Sequence, residues 1–524
     1  MYHIDIYYFN FAGAVGRYLR IIQRSNNEPL NIAEVKVIKA PALATGQTPY
    51  EHRYIKPGSG QTSEYVTGEA HIPCGVCAIV DYENGETEEI PRGINVEGML
   101  YFPPTANVEL RTPHLYVQGI LKIDAPNDGN KIKVHMIDTG HEQFMIPHVE
   151  NANQCSAVGC SFGEKAVGIA GGTFYYAIMY CVPLSYYALC FAYSKELFVD
   201  SCFTLPCCYL GTLDIQALPD PSCPTWTFLE AVLDEEEGTN QVLQVGSKAA
   251  ECWGRRLGDE ILITDTIGWK SYANLIGTIA SVNIEAGTVT LSAPPTTHTE
   301  SNDFGDVNGQ ETAGWISTLA NDPDFPAEVA WLSRSVTFDA DTKRGNAGGT
   351  GWQCNREQRR IGGHMMISHT SVAQRIEGVE FKNFGQSGTL GKYVSATFEC
   401  EVCDAISWLF CLLTLFLFPM NHQPIHFHLC DDVSGSTVRK NLVRSSHQRC
   451  VVIHRSNNVN VEENVAFGHK GHCFMTEDRV ETGNVFKGNL GADGQRLSCV
   501  EGILGNKGDH QASTYWISNQ KNQL

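Results

Sequence analysis

Three groups of side chains between His426 and Asp478 have the residue types that acid–base chemistry requires. They are His426, His428, Cys430 and Asp431; Arg449, Cys450 and His454; and His472, Cys473, Glu477 and Asp478. Imidazoles and carboxylates act as general acids and bases, and hydrolysis of a glycosidic bond needs two such groups about 5–9 Å apart. The stretch therefore has the composition of an acid–base site, provided that the fold places the three groups side by side.

The spacing of these residues suggests their roles. His454 and Glu477 are 23 residues apart, so a repeat of that length makes an imidazole and a carboxylate neighbours. We predict catalytic roles for Asp431, His454, Glu477 and Asp478. We predict substrate-binding roles for His426, His428, Arg449 and His472. His426 and His428 point to the same side of a strand, as a substrate clamp or a metal pair requires, but no bound metal is predicted.

A structural explanation of the same residues stays open, because stacked polar side chains are common between the coils of repeat proteins. Cys430, Cys450 and Cys473 are expected to form an interior stack of free thiols, since a buried cysteine packs as a small apolar side chain. Disulfide bonds between them are the alternative.

Repeated patterns predict the elements that position these residues. The pattern V-x-G-x-L-x-[FI] begins at Val96 and recurs 21 residues later, with the alternation of a strand and one glycine where backbones crowd. A third copy appears when residues 173–211 are removed. Their removal places Gly172, Leu213 and Ile215 where Gly119, Leu121 and Ile123 stand.

The C-terminal third also repeats. At 23 residues, Val438 falls on Val461, Asn441 on Asn464 and Cys450 on Cys473, and Asn489 follows 25 residues later. Asn383 lies 58 residues before Asn441, or 28 when residues 394–423 are subtracted. Short β-rich repeats with one fixed asparagine are typical of the coils of a parallel β-helix. We therefore predict an all-β protein built around such a helix.

Residues 173–211 and 394–423 interrupt these repeats. Both segments are rich in cysteine and apolar residues and almost lack glycine. Our hypothesis is that both are retained non-coding sequence; real loop insertions are one alternative, and a membrane segment at 404–423 is another. The apolar run from Ile406 to Met420 is shorter than the roughly 20 residues that span a bilayer.

The segment "VRKNLVRSSHQRCVVIHRSNNVNVEENVAFGHKGHCFMTEDRVETGNVFKGNLG" closely resembles the right-handed parallel β-helix of the eight-glycine-domain family. That family includes the cell migration-inducing hyaluronan-binding protein, transmembrane protein 2 and fibrocystin-L. Upstream, "INVEGMLYFPPTANVELRTPHLYVQGILKI" resembles the family's eight-glycine domain. The resemblance implies an uncharacterised region at 1–74, an eight-glycine β domain at 75–230, a connecting β region at 231–335, and a right-handed β-helix at 336–524 that is truncated at its C-terminus.

The resemblance also implies a function. Members are extracellular or cell-surface proteins, so we expect recognition of a polysaccharide such as hyaluronan, with glycosidic cleavage of the hyaluronidase type left open. The alternative is a non-enzymatic structural or adhesion protein that binds extracellular protein partners. The short path from Ala231 to Gly258 leaves no room for the extra module of the hyaluronan-degrading members, which makes fibrocystin-L the nearer architectural relative.

Charge limits the partners. A formal net charge of −20 repels nucleic acid, so no nucleic-acid partner is predicted. A polyanionic glycan would need a local basic groove, for which the candidates are Arg356, Arg359, Arg360, Arg439, Lys440 and Arg444. No signal peptide is visible at the start of the chain.

Three other motifs are weak. Cys74 with Cys77, and Cys155 with Cys160, are expected to form local disulfides in the family's extracellular compartment. Residues 303–311 offer oxygen ligands around a glycine but lack the spacing of a calcium loop, so no cofactor is predicted and calcium is only a weak candidate.

Overall fold

The computed structural model describes residues 51–55, 70–73, 76–80, 82–139, 144–145, 161–170, 175–184, 187–196, 211–233, 242–255, 257–264, 274–298, 326–344, 360–368, 370–386, 425–495 and 512–524. Nearly all of the regular structure in these ranges is β-strand. The one helix among them, α1 (Ser247–Trp253), has seven residues, and no described helix is long and apolar enough to cross a membrane.

Most strands stack in three parallel columns. Column one contains β2 (Ala70–Ile72), β5 (Ile94–Val96), β8 (His114–Val117), β13 (Ala166–Ala170), β28 (His364–Ser368), the first parts of β31 (Ile425–Arg439) and β33 (Val451–Glu462), β35 (Phe474–Thr476) and β38 (Tyr515–Trp516). Column two contains β1 (Glu51–Ile55), β3 (Val76–Val80), β6 (Met99–Phe102), β9 (Ile120–Asp124), β16 (Thr212–Gln216), β29 (Arg375–Glu377), the last parts of β31 and β33, and β36 (Val485–Lys487). Column three contains β4 (Glu86–Glu89), β7 (Val108–Thr112), β10 (Ile132–Met136), β25 (Val336–Ala340), β30 (Val379–Lys382), β32 (Leu442–Arg444), β34 (Val465–Phe467) and β37 (Leu490–Ala492).

The chain visits columns one, two and three in turn and then begins the next coil one strand further along. This path, with parallel pairing between successive coils, is that of a parallel β-helix. Alternate side chains of each strand point into the coil and form one continuous apolar core from Ala70 to Phe486. The predicted all-β fold built on a parallel β-helix is confirmed.

The register confirms the predicted 21-residue repeat. Leu100 in β6 lies opposite Leu121 in β9, and Leu213 in β16 lies opposite Leu121 on the other side. Since β16 pairs with β9 as though residues 173–211 were missing, this segment is an insertion in the fold.

The glycine of this repeat sits where successive coils touch. A Cβ atom on Gly119 would lie 1.9 Å from the carbonyl oxygen of Gly98. No larger residue fits without moving the backbone, so the glycine is required by the close approach of two coils.

Within the first insertion, β14 (Tyr175–Leu184) and β15 (Tyr187–Glu196) form an antiparallel hairpin that pairs with no other described strand. Its origin as retained non-coding sequence stays a hypothesis. Residues 394–423, with the proposed membrane segment, lie outside the described residues.

A second sheet is inserted into one coil, between β16 of column two and β25 of column three. Its eight strands are β17 (Trp226–Phe228), β18 (Ala231–Val232), β19 (Val242–Gln244), β20 (Glu260–Ile263), β21 (Asn274–Asn283), β22 (Thr288–Leu291), β23 (Thr296–His298) and β24 (Glu328–Trp331). Their pairing is antiparallel, and a disulfide joins Cys223 to Cys252 of α1. Two further antiparallel pairs are β11 (Phe144–Met145) with β12 (Ser161–Gly163) and β26 (Lys343–Arg344) with β27 (Arg360–Ile361).

The inserted sheet packs along the outside of column three. Leu262 and Leu332 join an apolar cluster with Leu442 of β32 and with Val465 and Phe467 of β34. The inserted sheet therefore contacts several coils at once, which a loop between two adjacent strands would not do.

The predicted domain boundaries stay a prediction. Strands of the two outer segments pair directly, however, because β10 is in register with β25 and β13 with β28. Column strands also precede residue 75, since β1 pairs with β3 and β2 with β5. Residues 75–230 and 336–524 therefore contribute to the same sheets.

Three asparagines form a ladder at the corner between columns two and three. The Oδ1 atom of Asn464 accepts hydrogen bonds from the backbone N–H and the Nδ2 of Asn441 at 2.9 and 3.0 Å, and Asn489 does the same for Asn464. The Nδ2 of Asn464 also donates to the carbonyl of Val438 at 2.8 Å. We call Asn441, Asn464 and Asn489 the asparagine ladder; it confirms their predicted alignment.

The predicted alignment of Asn383 with this ladder is wrong. Lys382 lies opposite Arg444, which puts Asn383 beside Ser445, and the backbone N–H of Val379 donates to Asn441 instead. Asn383 adopts a φ of 57°, a left-handed turn that asparagine tolerates, so the spacing matched a turn residue and not a ladder residue.

The predicted stack of free thiols is also wrong. Cys450 and Cys473 are adjacent, as their alignment indicates, but they are joined in a disulfide. Cys430 does not take part in this disulfide; it is buried at the next corner, where its Sγ contacts the carbonyl of Ile367. Cys430 does not follow the 23-residue spacing, because its backbone N–H donates a hydrogen bond to Ser456.

Candidate functional site

The sequence-predicted site lies on the outer side of column one. In β31, Ile425 and Phe427 point into the apolar core, so His426 and His428 take the opposite side. His454 of β33 lies opposite His428 in the parallel register. We call His426, His428 and His454 the histidine cluster.

The three imidazoles are in direct contact. The Nδ1 atoms of His428 and His454 are 3.1 Å apart. The ring of His426 is stacked 6.0 Å from that of His454 and stands edge-on to His428, with centroids 5.1 Å apart. All three side chains are buried, and His426 is 0% exposed. Polar rings that are buried in this way need hydrogen-bond partners to be stable.

Two carboxylates follow β35 and face His454. Asp478 Oδ2 is 2.8 Å from His454 Nε2, and Glu477 Oε2 is 3.8 Å from His454 Nδ1. Asp478 also accepts from Arg455 Nε at 3.1 Å. The Oε1 of Glu481 accepts the backbone N–H groups of Asp478 and Arg455, which fixes the turn that presents the carboxylates.

The pKa values of the pair reflect this arrangement. Burial lowers the pKa of His454, but the hydrogen bond to Asp478 and the negative charges of Glu477, Asp478 and Glu481 outweigh it and raise the pKa. The hydrogen bond from His454 lowers the pKa of Asp478. Asp478 is therefore a carboxylate and an acceptor, and it is poorly suited to donate a proton as a general acid.

Arg449 and His472 lie in adjacent coils beside the cluster. Arg449 Nη1 is 3.9 Å from Glu477 Oε1, and both side chains are buried. His472 bonds to Ser513 Oγ at 2.8 Å, and its ring stacks on Trp516 with centroids 4.5 Å apart.

An open cleft of about 340 Å³ adjoins this group. It is lined by Arg479, Tyr515, Trp516, Ile517 and Ser518. Trp516 is 42% exposed, and Arg479 directly follows Asp478 in the chain. An exposed indole beside a guanidinium offers a flat apolar surface and a fixed set of hydrogen-bond donors.

The fold brings together six of the eight predicted site residues: His426, His428, Arg449, His454, Glu477 and Asp478. His472 lies beside the group and stacks on Trp516, and Asp431 is exposed at a corner, away from the described side chains of the cluster. The roles assigned to all eight stay predictions.

Sequence reasoning missed three residues of the site. Arg455 and Glu481 belong to the same ion-pair group. The available signal was that Arg455 directly follows His454 and that Glu481 lies three residues after Asp478. Trp516 lies opposite Met475 in the last coil, and only the register of β35 with β38 reveals it.

The predicted basic groove is wrong for the three candidates Arg439, Lys440 and Arg444. Lys440 is buried against Glu463 at 2.8 Å, and Arg444 pairs with Glu260 at 2.6 Å. Arg439 Nε is 3.9 Å from Glu377. These cations neutralise neighbouring carboxylates and do not form an open basic surface. Arg356 and Arg359 lie outside the described residues, and Arg360 is in the short strand β27.

The predicted disulfide of Cys77 is wrong, because its thiol is free and buried, and burial raises its pKa to about 11. Cys74, Cys155, Cys160 and the calcium-loop candidate at 303–311 lie outside the described residues.

Comparison with known proteins agrees with this architecture. Residues 418–524 match the family described as CEMIP beta-helix. A G8 domain-containing protein of Dictyostelium discoideum is 29% identical over 169 residues, covering 32% of this chain and 8% of the relative. The cell surface hyaluronidase of Danio rerio is 26% identical over 192 residues, covering 35% and 12%. Fibrocystin-L of Mus musculus is 27% identical over 346 residues, covering 60% and 7%.

The fold and its outer-face cluster define a parallel β-helix protein with a sheet inserted into one coil. The comparisons confirm the resemblance to the eight-glycine (G8) domain and CEMIP β-helix proteins, a group that includes cell surface hyaluronidase and fibrocystin-L. The chain spans about a tenth of the length of the curated relatives it matches.

Proposed function

We propose that this protein recognises an extracellular polysaccharide at the cleft beside the histidine cluster. The observation that carries the proposal is the cleft lined by Trp516, Tyr515 and Arg479 next to Asp478. The relatives named cell surface hyaluronidase and fibrocystin-L support a cell-surface or extracellular location and a role in glycan binding or adhesion.

The chemistry of the cleft favours an acidic sugar polymer such as hyaluronan. A sugar ring has an apolar face that can lie on the indole of Trp516, and burying such surface contributes about 25 cal/mol per Å². A uronate carboxylate can accept paired hydrogen bonds from the guanidinium of Arg479. The overall charge of −20 makes this local cation important for any polyanionic ligand.

The proposal is that the protein binds the polysaccharide, and it does not include cleavage of the glycosidic bond. Cleavage by two carboxyl groups needs one of them protonated near neutral pH, whereas the pKa of Asp478 is lowered by its bond to His454. Cleavage products in the assay below would extend the proposal to a hydrolase.

The test is glycan binding by calorimetry, with hyaluronan, chondroitin sulfate and a neutral β-glucan presented to the full chain. We expect hyaluronan to bind and the Trp516→Ala variant to bind at least tenfold more weakly. Phe228→Ala is the matched control, because Phe228 is a similarly exposed aromatic residue at 50% on the inserted sheet.

Two results would overturn the proposal. One is no binding of any of the three polysaccharides by the unmodified chain. The other is equal loss in the Trp516 and Phe228 variants. Either result, with the near-ultraviolet circular dichroism of the variants unchanged, would favour the alternative of an adhesion protein that binds protein partners.

A further inference from the structure

The histidine cluster has the donor set of a metal site. One ring nitrogen from each of His426, His428 and His454 lies within 4.8 Å of the other two, and all three residues are buried. Zinc–nitrogen bonds of about 2.0–2.1 Å in tetrahedral geometry require ligand atoms about 3.3 Å apart. The Nδ1 atoms of His428 and His454, at 3.1 Å, already have that separation.

The backbone holds these donors in place. His426 and His428 are alternate residues of one strand, and His454 is on the next strand, opposite His428. Parallel strands are about 4.8 Å apart, so the three Cα atoms form a small rigid triangle. The disulfide between Cys450 and Cys473 ties the coil of His454 to the following coil, four residues before His454.

Asp478 sets the orientation of one ring. Its Oδ2 lies 2.8 Å from the Nε2 of His454, so the N–H of that ring is at Nε2 and the Nδ1 lone pair faces His428. A carboxylate bonded to the far nitrogen of a metal-binding histidine is the usual partner of such a ligand, since it fixes the tautomer and makes the other nitrogen more basic.

We propose that His426, His428 and His454 bind a divalent transition metal of the zinc class, with Asp478 as a positioning residue. Imidazole suits zinc, copper, nickel and iron, and no thiol or thioether belongs to this donor set. Glu477 Oε2, 3.8 Å from His454 Nδ1, is placed to be the fourth ligand or to bond to a water molecule in that position. A bound metal there would supply a Lewis acid next to the cleft.

This inference is independent of the proposed glycan recognition. The cleft residues Trp516 and Arg479 belong to no part of the donor set, so failure of glycan binding would leave the metal site untouched. It also replaces the sequence-based expectation that no metal is bound.

The experiment uses the full untagged chain, freed of metal by a chelator and then titrated with Zn²⁺ by calorimetry and with Co²⁺ by absorption spectroscopy. We expect one tight equivalent of Zn²⁺ and the intense visible Co²⁺ bands of a four-coordinate site. His428→Ala and His454→Ala should each lose that equivalent. Asp478→Asn should keep the stoichiometry and the Co²⁺ bands while weakening affinity about 10- to 100-fold.

His469→Ala is the matched control. His469 is a buried histidine near Cys450 and Cys473, but these cysteines are bonded to each other and cannot act as thiolate ligands. This variant should retain the tight equivalent. For variants that fail to fold, His428→Met with His454→Met is the substitute, since methionine fills the volume without an imidazole.

The proposal is overturned if the folded unmodified chain binds no tight equivalent, or if the His428 and His454 variants retain it. It is also overturned if only octahedral Co²⁺ bands appear, because a surface carboxylate site would then account for the metal.

Discussion

The asparagine ladder and the histidine cluster are both buried polar groups at neighbouring positions of successive coils, but their partners differ. Each ladder side chain bonds to backbone groups of adjacent coils, as Asn464 does to Asn441 N–H and Val438 C=O. The cluster side chains bond to one another and to carboxylate side chains, as His454 does to His428 and Asp478.

This difference distinguishes polar side chains that the fold requires from polar side chains that are available for a function. Backbone N–H and C=O groups cannot be mutated away, so a side chain that satisfies them is required by the fold. A pair of side chains that bond to each other can be replaced together by apolar residues at little cost in stability. The ladder recurs in three coils, whereas the cluster occurs once among the described residues, which is what a site requires and a fold does not.

Among the substitutions considered, Asn464→Ala is expected to have the largest effect on the free energy of unfolding. It leaves the buried Asn441 N–H and Val438 C=O without their partner, and each such group costs about 1–3 kcal/mol. We expect the free energy of unfolding to fall by about 3–4 kcal/mol, measured by guanidinium denaturation. Asn127→Ala, at an exposed loop position, is the control and should change it by less than about 0.5 kcal/mol. Equal shifts in the two variants would show that the ladder is not required.

A smaller effect on stability is expected at His135, which pairs with carboxylates as His454 does but contacts no imidazole in the part of the chain that the structure describes. The carboxylate of Asp339, 3.6 Å from Nδ1, raises the pKa of His135 against the effect of burial, and the hydrogen bond to Asp341, 2.8 Å from Nε2, adds to it. Lys133 lies near the same Asp339. A raised pKa stabilises the fold fully below the unfolded value of about 6.5, and the gain is lost as the pH rises through the folded value.

His135→Gln should therefore lower the free energy of unfolding by about 1 kcal/mol at pH 6 and by almost nothing at pH 9. Denaturation at both pH values measures the difference. The pKa of Asp339 is held well below its usual range, so this carboxylate stays charged throughout. A loss of equal size at pH 6 and pH 9 would mean that packing, and not charge, accounts for it.

The smallest effect on stability is expected where the function is proposed. His428→Met with His454→Met removes both partners of the 3.1 Å contact. Asp478 loses its bond to His454, but its side chain is 28% exposed to water and keeps Arg455 at 3.1 Å. In the presence of a chelator the free energy of unfolding should change by less than about 1 kcal/mol. A loss as large as that of Asn464→Ala would place the cluster among the structural elements and remove the contrast.

The repeats predicted most of the fold, because side chains that stack coil on coil must recur at the length of a coil. Leu121, Leu213 and the asparagine ladder were placed correctly on that basis. Asn383 was misplaced because its residue type also suits a left-handed turn, which spacing alone does not distinguish. The inserted sheet was predicted only as a connecting region, since its packing on column three depends on contacts far apart in sequence.

The recurrence of residues at the length of a coil also predicted part of the site. The 23-residue period brought His454 to Glu477, and strand alternation put His426 and His428 on one side. The stronger contact of His454 is with Asp478, one residue further on, because the chain turns there and leaves the strand register. Local turns of this kind depend on backbone geometry that the period does not encode.

The inserted sheet lengthens the loop that one coil of the β-helix must close. Residues 217–335 separate β16 from β25, so the coil that contains both cannot close until the whole inserted sheet has collapsed or a long loop has been confined. Hydrogen bonds from Trp226 to Gly488 and from Thr225 to Glu463 then join the inserted sheet to coils formed much later in synthesis. Since contacts so distant in sequence form slowly, we expect packing of the inserted sheet against the C-terminal coils to be a slow step of folding.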